Sequence, residues 1–344
     1  MDYTYDHYYD FSRVPNFREM NEVFAGIFDR SVKYYMQNRD GYEQTFALRK
    51  IVEFVRDLEK SLIGLINLGY VTTSNIELIK REYKSLDTIG LLESSYRGGI
   101  YGISYPKRIE INPNLSGSRT LSNSERTLLY VCHEMGHRFH DGWKEPRYIN
   151  NDLLRDKDVQ EQHQKLSSQD KLYIYYGSRL LDEALTQDRA EEIAYYFAGK
   201  RRPELSLRRS RLFNGEPFRT NFDYYGELQE PAIKLGKSLK YVSKSDKETL
   251  KQLGRAALDD RFISKIINEY RSRDGLVDLY ALIHSMGVIK DASYEAFGMG
   301  NIKGSLAKSK NALTLINRLT ANLPSKATRI NQTPPPLPKR IRKI

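Results

Sequence analysis

Apolar residues recur at three- and four-residue steps over most of this chain, and the texture turns strand-like in one window only. Leu48, Ile51, Val52, Val55, Leu58 and Leu62 form one such stripe, as in an amphipathic helix with a single buried side. The same reasoning predicts helices over about 16–37, 42–68 and 74–92. At Gly98-Gly99 the pattern changes. Residues 100–105 and 107–111 read as short strands divided by Pro106, and Asn112-Pro113-Asn114 closes them as a turn. The chain is therefore expected to be α+β, mainly α, with a short antiparallel sheet flanked by helical regions. It contains no internal repeat.

Helical texture returns at Ser122-Asn123-Ser124-Glu125. This is the S-x-x-E capping box, in which the serine hydroxyl and the glutamate carboxylate satisfy orphan amides at a helix start. The helix it opens is expected to run to about His140. A second strong helix is expected over about 179–198, stopped by Gly199 and Pro203, another around 226–239, and a helical bundle from 245 to 323. Four regions follow: a helical region 1–95, a core 96–240, a helical region 241–323 and a basic, Pro-rich tail 324–344. Residues 1–12 lack periodicity and are expected to form a loose arm that includes His7.

Composition narrows the setting. Apolar residues make up 40% and charged residues 29% of the 344, which excludes wholesale disorder. No run approaches the ~18 apolar residues of a membrane span. The first 30 residues carry no basic start and apolar stretch of the secretion type. The single cysteine, Cys132, excludes an intrachain disulfide and a multi-cysteine metal site. A cytoplasmic location is expected on these grounds.

The net charge of +11 is concentrated at one end. Ten Lys or Arg and no Asp or Glu lie between Lys303 and Ile344, leaving 45 basic and 44 acidic side chains before them. The body is nearly neutral, so no specific nucleic-acid partner is expected. Arg208-Arg209-Ser210-Arg211 reads as exposed surface. In the tail, Pro335-x-x-Pro338-x-Arg340 has the form of a polyproline ligand for an SH3-like groove, and the basic cluster suits an acidic partner.

The segment that carries chemistry is His133-Glu134-Met135-Gly136-His137, an H-E-x-x-H on the capped helix. Helical residues four apart point the same way, with Cβ atoms about 5–6 Å from each other. Two imidazoles so placed can hold one zinc ion at about 2.0–2.1 Å each. Glu134 lies between them and suits a general base toward water held by the metal.

Catalytic zinc needs a third protein ligand. His140 is near in sequence, but His133 to His140 spans about 10.5 Å of helix axis, too long for three side chains to converge. His140 is expected beside the ligands or at the rim. Asp141 fails similarly. Glu183, in Leu181-Asp182-Glu183-Ala184-Leu185-Thr186-Gln187, is the third ligand of this reading. It shares a helix face with Gln187, Ala190 and Ala194, whereas Glu191 and Glu192 are expected on a solvated face. Asp182, Gln187 or Asp188 can orient a ligand imidazole.

His133-Glu134-x-x-His137 with Glu183-Ala184-Leu185-Thr186-Gln187 resembles the zincin metallopeptidases, specifically the gluzincin branch, whose third ligand is a glutamate on a later helix. The resemblance implies a zincin-like core, bound Zn2+, a metal-bound water activated by Glu134, and hydrolysis of a protein or peptide substrate. It also implies a substrate strand laid against an edge strand upstream of the motif helix, here Arg108–Asn112. The metzincin extension fails, because its glycine position is His140 and its last ligand position is Trp143. The E-x-x-x-D pattern of thermolysin-like enzymes is not met, since Gln187 stands at its last position. The 46-residue step from His137 to Glu183 requires the insertion 144–178 to loop out.

Oxyanion donors besides the metal are open among Tyr224, Tyr225, His163 and His284; His284 also reads as a core histidine. A different class of function stays open too: a zinc-containing regulatory or interaction protein with little proteolysis of its own.

Overall fold

The computed structural model describes residues 5–37, 41–92, 101–112, 121–144, 153–203, 221–239, 245–272, 275–298 and 302–321. The Arg208–Arg211 run and the proline-rich tail lie outside them. Among the described residues the chain is mainly helical with one small mixed sheet. Its contacts divide into two units. The first takes in the described residues up to Phe139 and Arg189–Arg202; the second takes in His140–Asp188 and those from Pro203 onward.

The first unit begins with a docked arm. Glu59, fully buried, accepts hydrogen bonds from the Tyr8 amide at 2.7 Å, the Tyr9 amide at 3.1 Å and His7 Nδ1 at 2.8 Å. Tyr9 and Phe11 are buried as well. The expected loose arm is therefore corrected. Its tyrosine-rich run has no helical or strand period because local anchoring, not a repeating face, buries it.

Helices α1 (Met20–Met36), α2 (Gly41–Asn67) and α3 (Ile76–Lys84) follow. Phe24, Ile27 and Phe28 of α1 and Phe54, Val55, Leu58 and Leu62 of α2 are fully buried. Each such side chain contributes about 1.5–3 kcal/mol over its exposed state.

The expected third helix ends early. Strand β1 (Thr88–Leu91) leaves it, and pairs in parallel with β3 (Arg108–Ile111), which pairs antiparallel with β2 (Gly102–Ser104). Thr88-Ile89-Gly90 combines β-branched residues with a glycine, a poor helical run and a good strand. Gly90 leaves room for the ring of Tyr35. The sheet is mixed, not antiparallel, with order β1-β3-β2. Arg108–Ile111 is consequently its middle strand rather than an edge.

Helix α4 (Asn123–Arg138) opens with both arms of the capping box: Ser122 N donates to Glu125 Oε2 at 2.6 Å, and Glu125 N to Ser122 Oγ at 3.4 Å. Its last residue, the buried Arg138, donates to the carbonyls of Tyr105 and Pro106 at 2.9 and 2.8 Å and to Ser85 Oγ at 2.6 Å. That guanidinium ties the end of α4 to the β2–β3 turn and the end of α3.

In the second unit are α5 (Lys157–Lys165), most of α6 (Ser168–Ala198), α7 (Asn221–Ser238), α8 (Asp246–Ala256), α9 (Phe262–Arg271), α10 (Leu276–Gly298) and α11 (Ile302–Ala321). The described residues of the segment expected to loop out are largely helical, because α5 and the first turns of α6, with Leu172–Tyr176 among them, fall there. Trp143 is buried here among Phe262, Ala257 and Leu253, with Nε1 donating to the Ala257 carbonyl at 2.8 Å.

Candidate metal centre

The last two turns of α4 carry the H-E-x-x-H motif. Helical spacing brings His133 Nε2 and His137 Nε2 to 3.1 Å, with their rings nearly perpendicular at 88°. Two nitrogens bound at 2.0–2.1 Å to one tetrahedral ion stand about 3.3 Å apart, so the imidazoles are already aimed at a common point. Glu183, on α6, completes the group: one donor atom from each of His133, His137 and Glu183 lies within 4.8 Å of the others. Among the described residues this is a donor set able to hold a metal ion. Two imidazoles and one carboxylate suit zinc but also other divalent transition metals.

Glu134 is 6% exposed. It faces strand β2, where a Cβ built on Gly102 would stand 2.7 Å from both Cγ and Oε1 of the glutamate. One turn earlier on α4, the ring of Tyr130 stacks on that of Tyr101 with centroids 4.8 Å apart and planes 5° from parallel. Helix and strand thus meet at two successive turns.

Around Glu183 the sequence reading needs three changes. His140 is not a rim residue: it is fully buried, and its Nδ1 donates to the fully buried Asp182 at 2.9 Å, with Thr186 Oγ1 at 3.4 Å. Asp182 therefore bonds this histidine. Lys290, from α10, stands 3.4 Å from Glu183 Oε1. Glu191 does not face solvent: it is buried, and Arg202 Nε and Nη2 both lie 2.9 Å from its Oε2. Glu192 accepts from the Tyr70 hydroxyl at 2.6 Å. The partner of Glu192 is 122 residues away and that of Glu191 lies beyond the end of the helix, so local charge patterning reveals neither. Gln187, Ala190 and Ala194 are buried, as their shared face requires.

The other histidines have separate settings. His163 shares a hydrogen bond of 2.6 Å with the Tyr280 hydroxyl, and burial lowers its pKa. His284 packs edge-on to Tyr173, and burial lowers its pKa too. Tyr225 packs against the apolar core of the second unit, and the Tyr224 side chain lies outside the described residues. Cys132, one residue before the motif, is buried with its thiol pushed up to about 12 by desolvation, which makes it inert.

Lys290 and Gly102 were not singled out in the sequence. Nothing local marks Lys290, 107 residues from its partner. A glycine inside a strand pattern, by contrast, signals close approach, and Gly102 carried that signal. Comparison of the chain with family models, with curated proteins and with solved structures finds no match.

Proposed function

We propose that this chain is a zinc-dependent metallopeptidase of gluzincin-like design, with 96–240 as its catalytic core between the helical regions 1–95 and 241–323. His133, His137 and Glu183 hold the ion. A zinc ion at such a site acidifies water and polarises a carbonyl. Glu134 accepts the proton of the attacking water on its carboxylate and returns it to the departing amine. Its carboxylate is buried beside strand β2 and belongs to the residue that follows the ligand His133. An extended substrate lies along Gly102–Ser104, which among the described residues is an edge strand and the one that Glu134 faces, because Arg108–Ile111 is flanked on both sides. The observation that carries this reading is the convergence of His133, His137 and Glu183, three donor atoms from two helices 46 residues apart, next to a buried glutamate.

The test is metal analysis combined with digestion of casein and a peptide library, with and without a chelator. Stoichiometric zinc and chelator-sensitive cleavage are expected. Glu134→Gln retains the metal and loses at least about 100-fold in kcat/KM, the scale of general-base catalysis. Glu183→Gln weakens zinc binding. Hydrolysis untouched by the chelator, or full activity in Glu134→Gln, overturns the proposal.

A further inference from the structure

The geometry points to Gly102 as a positioning residue for Glu134: its missing side chain is the space that the glutamate carboxylate occupies. The inference rests on the general-base role of Glu134 and adds to it the group that fixes where this base sits.

The steric observation is specific. An alanine methyl at 102 would lie 2.7 Å from Glu134 Cγ, 2.7 Å from Oε1 and 2.9 Å from Cδ. All three nearest atoms belong to one side chain. Contacts below 3.0 Å do not persist, so the flexible glutamate must move while the backbone stays. Strand β2 cannot retreat instead. Gly102 pairs with Ile111 on the middle strand, and the Asn112 amide donates to the Tyr101 carbonyl at 2.9 Å. On the helix side, the Tyr101–Tyr130 stack fixes the register between strand and helix, and Arg138 pins the far end of α4 through the Tyr105 and Pro106 carbonyls. Strand and helix are held on either side of Gly102, and the Glu134 side chain is the group that an added methyl meets.

A displaced base costs rate without costing the fold. Misplacement of a catalytic group by about 1 Å lowers rates by about 100-fold. Gly102→Ala is therefore expected to lose about that factor in kcat while KM, zinc affinity measured by chelator competition, and the melting temperature stay near wild type. Gly41→Ala is the control, because a Cβ there meets no described atom within 4 Å.

A double-mutant comparison separates positioning from an independent role. In Glu134→Gln the base is already lost, so adding Gly102→Ala should lower kcat no further. A crystal structure of Gly102→Ala should show the Glu134 carboxylate moved and the zinc ligands in place. Wild-type kcat in Gly102→Ala, or a further full drop in the double variant, overturns the inference. So does failure of Gly102→Ala to fold, because the collision would then not be confined to the Glu134 side chain. A wild-type chain without chelator-sensitive hydrolysis refutes the peptidase reading instead, which keeps the two failures apart.

Discussion

Asp57 shows how one buried residue can set a pH dependence of stability. Its side chain is 1% exposed, and desolvation raises its pKa to about 7; the attraction of Lys60, whose Nζ lies 2.7 Å away, only partly opposes this. The unfolded carboxyl titrates near 3.8. Between about pH 4 and 7 the folded chain thus binds the extra proton, and stability falls as pH rises through that window. The stability is fully present below the unfolded pKa and lost above the folded one. Asp57→Asn removes the dependence, so its melting temperature should gain on wild type as pH is raised from 4 to 7. Parallel melting curves across that range would refute the assignment. At this scale the sequence showed the H-E-x-x-H pair and Glu183 well, because helical spacing and residue chemistry suffice there. It could not show Asp57, Glu59 or Glu191 as buried, because burial is set by tertiary packing that local charge patterning does not report.

Among the elements, α6 and α10 approach until backbone meets backbone. A Cβ on Gly287 would run into the carbonyl of Tyr173, and one on Gly177 into the carbonyl of Ile283. Neither obstacle can swing aside as a side chain does. Gly287→Ala is therefore expected to destabilise the fold by about 1–3 kcal/mol, as overpacking does, read as a lower denaturation midpoint with an unchanged slope. A midpoint equal to wild type would show that the helices separate freely. The obstacle at Gly102 is of the other kind, the side chain of Glu134. Apolar periodicity made the helices legible, and the capping box located the start of α4. Strand β1 escaped because four residues are too few to establish a period, and α6 was underestimated because its first turns resemble a polar insertion.

On the scale of the whole chain, each unit carries its own single reporter residue. Trp143 is the only tryptophan and is 1% exposed in the second unit, packed on Phe262 and bonded to the Ala257 carbonyl. Its native fluorescence should be blue-shifted and resistant to acrylamide, moving to the red as that unit loses structure. Native emission typical of a hydrated indole would contradict the packing. Cys132 is the only cysteine, shielded within the first unit with a thiol that resists ionisation. An optical probe and a chemical probe are therefore installed by nature at separate addresses. One denaturation series, followed by emission and by thiol trapping in the same tube, can time the opening of each half without introducing a label.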